Sequence, residues 1–252
     1  MRSLLKLGRS GLGEVNYRDF NTFYRDQSRA LSQLRDVTAL IETLPVFVKT
    51  RRSQDARSFL LQFKRNLETK RREHLQAIIS GNTKAEVVSK LESKNDEIIQ
   101  WQFNGDVAEI FSAGAQSIYN RGRRLFKVTL SDPNAHNMHE WRKQVKYFWY
   151  QLMVLTLLWP GMMTAWAKEV QNLSQWLGKH HDLVLLENKL PEVAANSKNR
   201  VLINNLQKSI ATRKYYFEKA SLELGQKIYA EAPVSIGNRL LAYFDVTQSA
   251  KC

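Results

Sequence analysis

The chain of 252 residues carries 38 Lys and Arg against 24 Asp and Glu, a formal net charge of +14 at pH 7. With 43% hydrophobic residues and a mean hydropathy of −0.43, it is long and apolar enough for a sizeable core, which excludes wholesale disorder. Its one cysteine, Cys252, excludes a disulfide-stapled scaffold and a CxxC metal site and fits a reducing, cytoplasmic compartment, while the charge points to a polyanionic partner: nucleic acid, an anionic membrane or a phosphate polymer.

In chain order, Met1–Leu12 sets Arg2, Lys6 and Arg9 at i, i+4 and i+7, with no apolar run longer than two residues. That is a basic helix rather than a secretory leader. Arg25 and Arg29 follow at i, i+4, and Arg35 lies beyond them. From Val46 to Asp132 there is no proline, and apolar residues recur at three- and four-residue spacing among Lys, Glu, Gln and Arg. Phe59, Leu60, Phe63 and Leu67 form one such set, and Val87, Val88, Leu91 and Ile98 another. This is helical patterning, with Arg65 and Arg72 seven residues apart on the first of these helices. Tyr147–Trp166 is rich in Phe, Trp, Leu and Met, but Pro160 and Gly161 break it after about thirteen residues. A spanning helix needs roughly 20, so a buried core helix ending at Trp159 is expected, and no membrane span. Arg213 and Lys214 sit mid-helix beside Tyr215 and Tyr216.

The five prolines, Pro45, Pro133, Pro160, Pro191 and Pro233, fall between periodic segments. Period-two alternation and Asn-Gly or Asp-Gly hairpin turns between β-branched runs are missing. The expected fold is all-α, with roughly eight to ten helices, several longer than the usual 11–12 residues. Ser28–Pro45 and Ser174–Pro191 also match at an offset of 146: Ser28/Ser174, Leu31/Leu177, Asp36/Asp182, Leu40/Leu186, Leu44/Leu190 and Pro45/Pro191. Two related antiparallel bundles, 1–131 and 132–252, are the expectation from this internal repeat.

The richest constellation is His139-Glu-Trp-Arg142-Lys143-Gln-Val-Lys146. His139, Arg142, Lys143 and Lys146 stand at i, i+3, i+4 and i+7 and share one helix face. Val145, Phe148, Trp149 and Leu152 occupy other faces and offer packing. Just upstream come Arg121, Arg123 and Arg124, so Tyr119–Trp149 holds seven Lys and Arg against Asp132 and Glu140. A solvated face is the bland explanation for any one stripe. Few carboxylates stand near enough in sequence to neutralise this one, and an anion would relieve its repulsion.

HEWRKQVKYFWY resembles the H-x-x-R-K-x-x-K-x-x-R-Y signature of the CHAD (conserved histidine α-helical) domain. SIYNRGRRLF, VQNLSQWLGKHHDLVLL and LGQKIYAEAP resemble that family's other segments, in order along the whole chain. The resemblance implies two pseudo-repeated bundles with a basic surface at their junction. It also implies binding of inorganic polyphosphate, often on polyphosphate granules. Carried over, the contacts are Arg121, Arg123, Arg124, His139, Arg142, Lys143 and Lys146. Arg2, Lys6, Arg9, Arg25, Arg29, Arg35, Arg65, Arg72, Arg213 and Lys214 are further candidates. Trp149 stands where the family pattern commonly has Arg, which removes one charge. The repeat offset would put first-half counterparts of His139 to Lys146 before Met1, so a one-sided site is expected.

Rival functions leave weaker traces. Five of the six tryptophans lie between Trp141 and Trp176 and offer stacking surfaces for nucleic acid, though their helical spacing beside Leu and Met suits a core. No zinc-finger or RNP pattern is present. His136/His139 and His180/His181/Asp182 suggest a metal, but there is no HExxH and no carboxylate cluster at ligand spacing. GxSxG and GxxxxGK[ST] are also missing. A metal-dependent polyphosphate phosphatase is thus the lesser alternative. No cofactor is expected, and the chain reads as a binding module rather than an enzyme.

Overall fold

Prolines and polar caps set the helix boundaries. The computed structural model describes residues 1–50, 53–193 and 200–249. Among these the chain is all-α: α1 (Arg2–Leu7), α2 (Arg9–Leu12), α3 (Glu14–Ala30), α4 (Ser32–Thr43), α5 (Pro45–Thr50), α6 (Gln54–Ser80), α7 (Thr83–Ile99), α8 (Val107–Ser131), α9 (Ala135–Leu155), α10 (Pro160–Val193), α11 (Arg200–Ile228) and α12 (Pro233–Ser249). That exceeds the eight to ten helices expected, because α1, α2 and α5 have six residues or fewer. Pro45, Pro160 and Pro233 each open a helix, where the missing N–H costs nothing. Asp132, just before Pro133, is pushed to an extended φ of −146° and ends α8. The Asn134 side chain then accepts from the Asn137 N–H at 2.9 Å and starts α9.

Two sequence expectations need correction. Pro191 lies inside the last turn of α10, where the helix gives up one bond to the Glu187 carbonyl rather than ending. The apolar helix stops at Leu155, not at Trp159. Leu157 and Trp159 are 82% and 52% exposed in the turn that follows.

The described chain forms two compact units, each built from separated segments. The first comprises residues 1–25, 101–178 and 217–252; the second comprises 26–100 and 179–216. In the first unit α8 and α9 make an antiparallel hairpin, with α1 and α12 packed against it. Met138, Trp141, Val145, Phe148, Leu152 and Leu155 recur at alternating three and four residues along α9, and all are buried. Tyr119, Phe126, Val170, Tyr229, Ile236 and Leu240 close the same core. Gly114 lets α1 approach closely: a Cβ there would meet the Leu7 backbone oxygen at 2.0 Å. Ser3 Oγ donates to the Tyr147 carbonyl at 2.7 Å, and Gln151 Nε2 donates to the Ser3 carbonyl at 3.2 Å, fixing the other end of α1.

The second unit has a thinner core. Leu60, Phe63 and Leu67 of α6 are buried with Leu40, Leu44, Phe47, Leu183, Leu186, Leu190, Ile203, Leu206 and Ile210. Beyond Leu67, α6 buries nothing more, and α7 buries only Val87. The positions matched by the internal repeat do not share one environment. Leu40/Leu186 and Leu44/Leu190 are buried alike, but Leu31 is 38% exposed where Leu177 is at 1%. The repeat remains an observation on the sequence.

Candidate functional site: a basic helix cluster

The hairpin of the first unit positions the cations. Phe126 meets Trp141 at 5.3 Å between ring centroids, and Tyr119 meets Phe148 at 5.5 Å. That register puts Arg124 level with Lys143 and Arg121 level with Lys146. Arg121 and Arg124 are exposed, and neither makes an ion pair among the described residues. Lys127 continues their exposed row at three-residue spacing, a candidate that sequence reasoning missed although the spacing signalled it.

On α9, His139, Arg142, Lys143 and Lys146 are half-buried rather than freely solvated. Arg142 lies against α10, its Nε 3.8 Å from the point where a Cβ would sit on Gly178. Lys143 is not an isolated charge, since its Nζ reaches Glu140 Oε1 at 2.5 Å. One of the two acidic residues of the segment therefore offsets one of its seven cations. Burial, then Lys143 and Arg142, hold the His139 imidazole below its ordinary pKa. It is mostly neutral at pH 7 and poised to take a proton when an anion approaches.

α1 brings further cations to the same helix. Lys6 Nζ sits 5.0 Å from the centroid of the Tyr147 ring and Arg2 5.9 Å from it, one residue past Lys146. Lys6 also donates to the Tyr17 hydroxyl at 3.0 Å, and Arg2 Nε to Asn21 Oδ1 at 3.0 Å. Tyr17 and Tyr147 thus hold the ammonium and guanidinium groups without cancelling their charge. Sequence reasoning did not single out either tyrosine, because the contacts span α3 and α9. Arg9 stacks over Tyr17 at 4.4 Å but is paired with Glu14 at 2.8 Å. Arg9 and Arg18 together hold that carboxylate below its usual range.

One expected contact, Arg123, has structural work instead, and so has the neighbouring Tyr119. Arg123 Nε donates to the Tyr229 carbonyl at 3.0 Å, securing the end of α11. The Tyr119 hydroxyl is fully buried and shares its hydrogen between the Ile228 and Glu231 carbonyls, both at 3.1 Å. Burial pushes its pKa up to about 12, so it is no ligand for an exposed polymer. Arg25 is half-buried at the edge of the first unit.

The remaining candidates belong to the second unit. Arg29 lies 3.9 Å from Asp26, and Lys214 Nζ lies 2.5 Å from Glu187. Arg213 sits over the Phe47 ring at 5.4 Å. Arg72 donates to Thr69 Oγ1 at 3.0 Å, while Arg35 and Arg65 are exposed. His180 is buried, 2% exposed, with its pKa lowered to about 4 by burial and then by Lys214. Among the described residues no group of three His, Cys, Asp or Glu stands close enough to hold a metal ion. No helix among them is long and apolar enough to cross a membrane.

The family model for the CHAD domain matches residues 1–191, which takes in α1 through most of α10. No curated protein matches the chain.

Proposed function

The chain belongs to the CHAD domain family, and from that premise we propose that it is an inorganic polyphosphate-binding module. The first unit supplies the main contacts. One observation carries the reading: exposed, unpaired Arg121 and Arg124 stand level with Lys146 and Lys143 on a rigid hairpin, and α1 adds Lys6 and Arg2 over Tyr147. A phosphate chain offers a negative charge on nearly every unit and no bases to read. Repeated cations on fixed helices suit it, with Arg gripping two oxygens at once. Nucleic acid competes as a weaker polyanion in this scheme. Trp141, the tryptophan set deepest, is at 0% exposure and cannot stack a base. The module acts by binding and not by hydrolysis, in the cytoplasm and on polyphosphate granules.

Melting at low salt with long-chain polyphosphate, with DNA at equal charge concentration and with orthophosphate tests this. At a few hundred times Kd, polyphosphate should stabilise the fold by about 3–4 kcal/mol, and rising salt should weaken the effect steeply. An equal shift with orthophosphate, or none with the polymer, overturns the reading. Phosphate release from the polymer with Mg²⁺, Mn²⁺ or Zn²⁺ that is lost in Asp182→Ala would make the protein an enzyme instead.

A further inference from the structure

Within the second unit, α4, α6 and the end of α10 surround a cavity of about 390 Å³. Its size falls in the range of small-molecule pockets, roughly 300–1,000 Å³. One stripe of α6 grades from apolar to cationic along it. Phe63 and Leu67 are buried with Leu40 of α4 and form the floor, while Lys70 and His74 stand one and two turns further on. Lys189 and Glu192 of α10 complete the rim. Protein interiors are packed close to crystal density, and a space this large against Leu and Phe side chains forgoes many dispersion contacts.

The rim states the charge of an occupant. Glu192 bridges two lysines, Oε1 at 2.6 Å from Lys189 and Oε2 at 3.7 Å from Lys70. Two ammonium groups against one carboxylate leave a positive charge over, with His74 beside it. We propose that this cavity binds a small organic anion with an apolar body, a carboxylate or phosphate monoester whose head meets Lys70 and Lys189 and whose body covers Leu40, Phe63 and Leu67. An inorganic phosphate chain has no apolar surface to set against that floor. The site is therefore separate from the basic cluster on α1, α8 and α9.

The aryl sulfonate 8-anilinonaphthalene-1-sulfonate and its neutral analogue N-phenyl-1-naphthylamine test both halves of the proposal on the full chain. The anion should bind saturably at one site and more tightly than the neutral probe. Asn66→Trp, at the exposed mouth, should abolish binding of both. Lys70→Gln with Lys189→Gln should weaken the anion about three- to tenfold and leave the neutral probe unchanged. These are surface changes, and circular dichroism checks that helicity is kept. Non-saturating fluorescence, indifference to Asn66→Trp, equal affinity for the two probes, or no loss in the lysine variant overturns the proposal.

Discussion

In the first unit α9 buries a residue at every third or fourth position from Met138 to Leu155, whereas in the second unit α6 stops doing so at Leu67. Leu75 and Ile79 of α6 and Ile99 at the end of α7 are 45%, 57% and 81% exposed. Both units are helical and rich in cations, yet they mount those cations differently. In the first, Lys6, Arg121, Arg124 and Lys146 stand on helices held by an aromatic core, so their spacing is set before any ligand arrives. In the second, Arg65 stands on the last buried turns of α6 and Arg72 beyond Leu67, where the helix buries nothing more and no core fixes its position. Equal charge therefore gives unequal sites.

The largest expected difference between the units is in stability. Trp141→Ala in the first should cost about 3–5 kcal/mol, while Leu75→Ala in the second should stay within about 0.5 kcal/mol. Urea titrations measure both, and similar costs would mean that Leu75 is packed and the buried face of α6 runs past Leu67. Binding comes next. Arg142→Glu with Lys143→Glu should weaken polyphosphate about tenfold to a thousandfold at low salt, and the salt slope should flatten as fewer counterions are released. Arg65→Glu with Arg72→Glu should cost less than about tenfold. Equal losses, measured by titration at fixed salt, would put the second unit on the same footing.

A smaller effect belongs to His180. Its folded pKa of about 4 lies below the ordinary 6.5, so on acidification the unfolded chain takes up the proton first. Stability should fall by on the order of 2 kcal/mol between pH 7 and 5, and His180→Gln should flatten that slope. The smallest expected change concerns His139. Its pKa is depressed in the empty protein and raised by a bound phosphate chain, so binding takes up a proton. Affinity should then rise severalfold as pH falls from 7 to 5, by at most about tenfold per unit. His139→Gln should remove the rise, and an unchanged pH profile in that variant would take His139 out of the site.

Much of this contrast was legible in the sequence. Val145, Phe148 and Leu152 were readable as packing positions, and the stripe at His139, Arg142, Lys143 and Lys146 was readable because it is local to one helix. Lys6 over Tyr147 and Arg123 on the Tyr229 carbonyl join residues over a hundred positions apart, and no local period encodes them. Lys143 on Glu140 was within reach, since i, i+3 pairs meet on a helix. The expectation of a helix running to Trp159 failed because hydropathy marks apolar content, and Leu157 and Trp159 spend theirs in an exposed turn.

The bond from Ser3 to the Tyr147 carbonyl spans 144 residues, and that from Tyr119 to the Glu231 carbonyl spans 112. A ribosome adding roughly 5–20 residues per second releases α1 about 7–30 s before its partner on α9 exists. Leu240, a fully buried part of the same core, emerges later still. The nascent chain must therefore carry the apolar face of α1 uncovered until α8 and α9 are made. The basic cluster on α1, α8 and α9 can thus assemble only after α9 is made, and the core beneath it closes only once α12 has followed.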